Sequence, residues 1–173
     1  PYIRESLFIW LIKIIFLFLS KTQTALRILT FLLSLAVIPA VYIVVKRITD
    51  ARAGLGAAFA CAANPYFIFM SARGLRMELF ILCTLGLLYA LILMQEWAKW
   101  GWLWTGLAAG ALCLTQVTSL SYVIPLIIYF GCRRSVRPLA LAAALVMPLF
   151  MIAPHLHFNY KQFGDPLYYT NIL

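Results

Sequence analysis

The chain has 173 residues, 65% hydrophobic and 11% charged, with a mean hydropathy of +0.96. An ordinary soluble domain carries about 25% charged residues. Too few polar groups are present here to cover a water-soluble globule, and the same composition excludes disorder. Fourteen Lys and Arg against five Asp and Glu leave a net charge of +9. These basic residues fall in short groups between apolar runs, the pattern of a polytopic membrane protein rather than of a nucleic-acid surface. The expected contacts are membrane lipid and phosphate-bearing substrates, not nucleic acid.

Leu7–Leu19 is the first apolar stretch, and Lys13 stands in its middle. Thirteen helical residues rise only about 20 Å, short of a hydrocarbon core of about 30 Å. This segment therefore reads as an interfacial helix. Crossings follow at Ile28–Val45, Gly54–Ser71, Leu79–Trp97, Trp100–Leu114, Leu120–Phe130 and Leu139–His157. The second contains Asn64-Pro65, read as a kink that neighbouring helices tolerate. The fourth carries Gly106 and Gly110, a small-xxx-small pair suited to close helix packing. The fifth is short and follows a polar break at Thr115–Ser119. The expected fold is thus all-α, a polytopic transmembrane helical bundle of about six crossings plus an N-terminal interfacial helix. Residues 1–27 form an outer-face juxtamembrane segment, 28–158 the bundle, and 159–173 the start of an outer-face loop. Cys61, Cys83, Cys113 and Cys132 form no CxxC pair and read as small apolar fillers.

Lys46, Arg47 and Arg52, then Lys99, then Arg133, Arg134 and Arg137 mark loops on one side, taken as cytoplasmic. Arg73 and Arg76 fall on the opposite, outer side. The span middles are nearly free of ionisable residues, which weighs against a coupled transporter. Polar groups gather instead at the outer lipid–water boundary.

The most informative stretch is Ser71-Ala-Arg73-Gly-Leu-Arg76-Met-Glu78. Two guanidinium groups can clamp a phosphate or pyrophosphate. Glu78 can orient Arg76, take a proton from an acceptor hydroxyl, or bind a metal. The plainer alternative has Glu78 favouring a helix N-terminus and the arginines reaching to lipid headgroups. Arg4 and Glu5 are further candidates for the same outer cavity, as is Gln116, whose alternative role is helix-end hydrogen bonding. A polar stretch from His155 through Asn159 to Asp165-Pro166 closes the chain. Its two histidines are two residues apart and do not share a helix face, so no metal site is expected there. No cofactor motif is visible, and the sequence leaves dependence on a divalent metal open.

Several of these stretches occur in a familiar order. Ala25-Leu-Arg27 through Lys46-Arg47, Asn64-Pro65-Tyr-Phe, and Ser71 through Glu78 are followed by Thr105-Gly106-Leu-Ala-Ala-Gly110. Leu114-Thr115-Gln116, then Asn159-Tyr160 with Phe163-Gly164-Asp165-Pro166, complete the series. Together they resemble the GT-C glycosyltransferases of the protein-mannosyltransferase and aminoarabinose-transferase type (glycosyltransferase family 39-like). The resemblance covers nearly the whole chain. It implies a bacterial inner-membrane enzyme that transfers sugar from a polyprenyl-phosphate-linked donor on the periplasmic face. It places Arg73 and Arg76 at the donor phosphate and Glu78 among the catalytic residues. It also places the main catalytic acid upstream of Pro1, in a longer protein of which this chain is an inactive piece when isolated. Gln116 departs from the Lys common at its position. The non-enzymatic alternative, a transporter or lipid-binding scaffold, predicts flux or lipid binding without turnover. The sugar and the acceptor stay open.

Overall fold

The computed structural model describes residues 6–18, 23–72, 77–96, 101–133 and 138–164, and every described element is helical. In chain order the helices are α1 Ser6–Phe18, α2 Gln23–Ile48, α3 Ala51–Ala63, α4 Pro65–Ala72, α5 Met77–Glu96, α6 Gly101–Thr115, α7 Leu120–Arg133 and α8 Pro138–Phe163. A single 3-10 turn, Val117–Ser119, separates α6 from α7. The all-α membrane bundle expected from composition is what forms.

Three helices are long and apolar enough to cross a membrane: Gln23–Ile48, Met77–Met94 and Leu141–Gln162. The apolar helices at Leu7–Leu17, Ala51–Ala63, Gly101–Thr115 and Leu120–Gly131 are shorter. At about 1.5 Å per residue, α6 and α7 each rise little more than about 20 Å. Large apolar side chains face outward, Phe59 at 76% and Phe150 at 78% exposure. Such outward apolar surface has its natural solvent in lipid.

The stretch 54–71 is not one kinked span. Asn64 leaves the helical region with ψ 114° and ends α3, and Pro65 opens α4. Proline disfavours helical geometry in the residue before it and is well suited to a first helical position. The Asn64 side-chain oxygen accepts from the Tyr66 amide at 3.0 Å, which satisfies a donor that the break exposes. The C-terminal end differs as well. α8 continues through Phe163 and carries Pro148 and Pro154 within it, and Gly164 follows at φ +73°. That positive φ is the usual conformation just past a helix end and suits glycine.

The chain divides into two compact units, one spanning Phe8–Leu88 and the other comprising Pro1–Leu7 and Tyr89–Leu173. In the first, α2 and α3 form a helical hairpin around Thr49-Asp50. Asp50 caps α3, its Oδ1 accepting from the Ala53 amide at 2.7 Å. Asp50→Ala should cost about 1 kcal/mol by removing this cap, read as a lower unfolding midpoint in detergent. Gly54 lets α3 approach α2 closely, since a Cβ there would lie 3.0 Å from the Tyr42 carbonyl oxygen. α1 stays short, and the Lys13 ammonium sits 5.2 Å from the centroid of the Trp10 ring.

In the second unit α6 packs chiefly on α8. Gly106 faces Met147 and Gly110 faces Met151. Residue numbers rise together along both helices, so α6 and α8 run parallel, with α7 returning between them in the chain. The small-xxx-small pair thus has its partner in the methionines of α8. Cys113 is fully buried on α6, where it fills space as a small apolar residue does.

Candidate functional site

Glu78 is the second residue of α5 and lies in its first turn. A carboxylate there interacts favourably with the positive end of the helix dipole. Burial opposes this, because Glu78 is completely inaccessible. Neither of its carboxylate oxygens has a hydrogen-bond partner among the described residues. A carboxylate offers about four acceptor sites, and taking it out of water unpaired costs several kcal/mol. Buried polar groups in native proteins are overwhelmingly satisfied, so an unsatisfied carboxylate marks a place where something else binds or acts.

One neighbour comes from α2. Its buried face includes Leu29, Thr30, Ser34 and Val37. Thr30 and Ser34 stand one turn apart and are both buried. The Thr30 hydroxyl donates toward the Leu26 and Arg27 carbonyls at 3.2 and 3.1 Å. The Ser34 hydroxyl lies beside the Glu78 carboxylate. The Ser34 hydroxyl donates to the Thr30 carbonyl at 2.9 Å, and the Glu78 oxygens take no hydrogen bond among the described residues. Sequence reading had not singled out these two hydroxyls. The signal was present, because Thr30 and Ser34 are the only hydroxyl-bearing residues between Ile28 and Val41, in an otherwise apolar run.

The other expected site residues fall differently. Arg4, Glu5, Arg73 and Arg76 lie outside the described residues. Gln116 is exposed in the unit that includes Tyr89–Leu173, whereas Glu78 belongs to the Phe8–Leu88 unit. The main chain of Gln116 closes the end of α6. Its amide donates to the Leu112 carbonyl at 3.1 Å, and its carbonyl accepts from the Ser119 amide at 3.0 Å and the Ser119 hydroxyl at 2.7 Å. Thr115 adds a hydroxyl bond to the same Leu112 carbonyl at 2.6 Å. These bonds account for the polar break as the end of a helix. In the C-terminal stretch, His155 and Asn159 sit one turn apart on α8, with Nε2 and Nδ2 3.5 Å apart. No group of three His, Cys, Asp or Glu among the described residues is placed to hold a metal ion.

Comparison with known families matches residues 6–158 to the dolichyl-phosphate-mannose-protein mannosyltransferase family. No curated protein and no solved structure matches the chain. The match runs from the start of α1 nearly to the end of α8, and so takes in α2 and α5, which carry the buried carboxylate and its neighbouring hydroxyl. The chain belongs to the dolichyl-phosphate-mannose-protein mannosyltransferase family, and is an integral membrane glycosyltransferase of the GT-C type.

Proposed function

We propose that the protein transfers a sugar from a polyprenyl-phosphate-linked donor to an acceptor hydroxyl on the periplasmic face of a bacterial inner membrane. The observation that carries this reading is Glu78, a carboxylate held out of water without a hydrogen-bond partner among the described residues, at the start of an apolar helix. Arg76 and Arg73 precede it in the chain by two and five residues. In the proposed reaction the acceptor oxygen attacks the anomeric carbon and the bond from that carbon to the phosphate oxygen breaks. The arginines stabilise the charge that gathers on the departing polyprenyl phosphate. Glu78 takes the acceptor's proton or holds the Arg76 guanidinium against the phosphate. The main catalytic acid is the one that the family resemblance places upstream of Pro1. The lipid tail of the donor lies among the apolar helices, which is why this chemistry suits a membrane bundle.

The test uses membrane vesicles carrying the complete protein. They are offered radiolabelled mannose either on polyprenyl phosphate or on a nucleotide. Transfer from the lipid-linked sugar alone is the expected result. Transfer from the nucleotide sugar with the lipid-linked form inert would overturn the donor assignment. Vesicles of opposite sidedness then test the active face. Arg76→Ala should cost about 2–3 kcal/mol of transition-state stabilisation, roughly 30–150-fold in kcat/KM, as expected for a lost hydrogen bond to a charged group. An unchanged kcat/KM would remove Arg76 from the donor site.

A further inference from the structure

Ser34 is only 6% exposed, and its hydroxyl lies beside a carboxylate that has no hydrogen-bond partner among the described residues. Its present bond goes back to the Thr30 carbonyl, four residues earlier on the same helix. A back-bond of this kind adds a second donor to a carbonyl that the helix ladder already serves, and it is slightly unfavourable to the helix. Releasing it orphans nothing. A hydrogen bond from a hydroxyl to a charged carboxylate is about twice as strong as one between neutral groups. Rotation of the Ser34 side chain therefore exchanges a dispensable bond for a strong one whenever Glu78 carries its charge. The Thr30 hydroxyl donates toward the Leu26 and Arg27 carbonyls.

We infer that Ser34 is a positioning residue for Glu78: its hydroxyl swings from the Thr30 carbonyl to one carboxylate oxygen and leaves the other oxygen for the reacting groups. The inference rests on the reading of Glu78 proposed above. Ser34 touches no substrate, and all its effect passes through the carboxylate. Its loss should lower kcat and leave the KM for the lipid-linked donor unchanged. A purely structural role would instead lower the unfolding midpoint and the amount of folded protein.

The experiment is a double-mutant cycle in the complete membrane-embedded protein, with polyprenyl-phosphate mannose as the donor probe. Ser34→Ala should lower kcat about 10-fold, the loss of a hydrogen bond to a charged group, at an unchanged melting temperature. Ser34→Thr, which keeps the hydroxyl, should recover most of that loss. In a Glu78→Gln background, Ser34→Ala should add less than about 2-fold, because residues that act through one group are not additive. A full 10-fold loss in that background would show Ser34 acting independently of Glu78 and overturn the inference. So would normal turnover by Ser34→Ala alongside an inactive Glu78→Gln, an outcome that leaves the reading of Glu78 intact. Normal turnover by Glu78→Gln would instead overturn the reading of the site itself, and Ser34 with it.

Discussion

Glu78→Gln is expected to cut sugar transfer by about 100-fold or more, the range of general acid–base and electrostatic contributions in enzymes. Membrane insertion and helix content should stay normal. Glutamine keeps the size of the side chain and replaces one carboxylate oxygen with an NH2 group, which removes the charge and the ability to take a proton. Among the described residues the buried carboxylate has no hydrogen-bond partner, and desolvation of its charge works against folding more than the helix N-terminus favours it. Glutamine should therefore fold at least as stably, and lost activity with retained stability would place the role of Glu78 in the chemistry. The kinetic split separates its two candidate roles. A base acting on the acceptor shows its loss in kcat with the donor KM unchanged. A carboxylate that holds Arg76 on the phosphate shows a raised donor KM, in step with Arg76→Ala. Transfer within a few-fold of the parent protein would remove Glu78 from the site.

The second large effect is structural and lies at Gly101, the buried first residue of α6. A Cβ built there would overlap the Cα of Met94 on α5. Main chain meets main chain at this point, so no rotamer change can relieve the clash. Gly101→Ala should destabilise the protein by about 3 kcal/mol, the upper part of the usual range for overpacking. Gly110→Ala is the informative contrast. The atom in its way is the Met151 sulfur, near the end of an unbranched side chain that swings aside cheaply. Alanine also gains up to about 1 kcal/mol of helix propensity over glycine, so Gly110→Ala should come out near neutral. Unfolding midpoints of the two variants in mixed detergent micelles test this. Equal shifts would mean that α5 and α6 do not approach as closely as the structure has them.

Both effects separate what a linear reading reaches from what it misses. Gly106 and Gly110 were legible because spacing by four residues on one helix is a property of the sequence, although it did not name α8 as their partner. Gly101 carried no signal. It follows Lys99-Trp100 at a polar boundary, and nothing in the chain shows that the main chain of Met94 lies against it. Glu78 was legible as a lone carboxylate at the edge of an apolar run, with two arginines just before it. Its complete burial and its hydroxyl neighbour on α2 were not, because Ser34 and Glu78 lie far apart in the chain and meet only in the folded structure.

The sequence by itself determined the all-α membrane class, the positions of most helices and the family resemblance, since hydropathy and motif order belong to residues one at a time. It also contained the break at Asn64, although the dipeptide was read as a kink: a proline constrains its predecessor locally, whatever the surrounding fold. Only the tertiary structure decided which faces of α2 and α5 turn inward, which glycines meet main chain rather than side chain, and that a carboxylate would be buried with no hydrogen-bond partner among the described residues. Those outcomes depend on the rotation of each helix about its axis and on the distance between axes. Many residues far apart in the chain set both together, and no local pattern records the result.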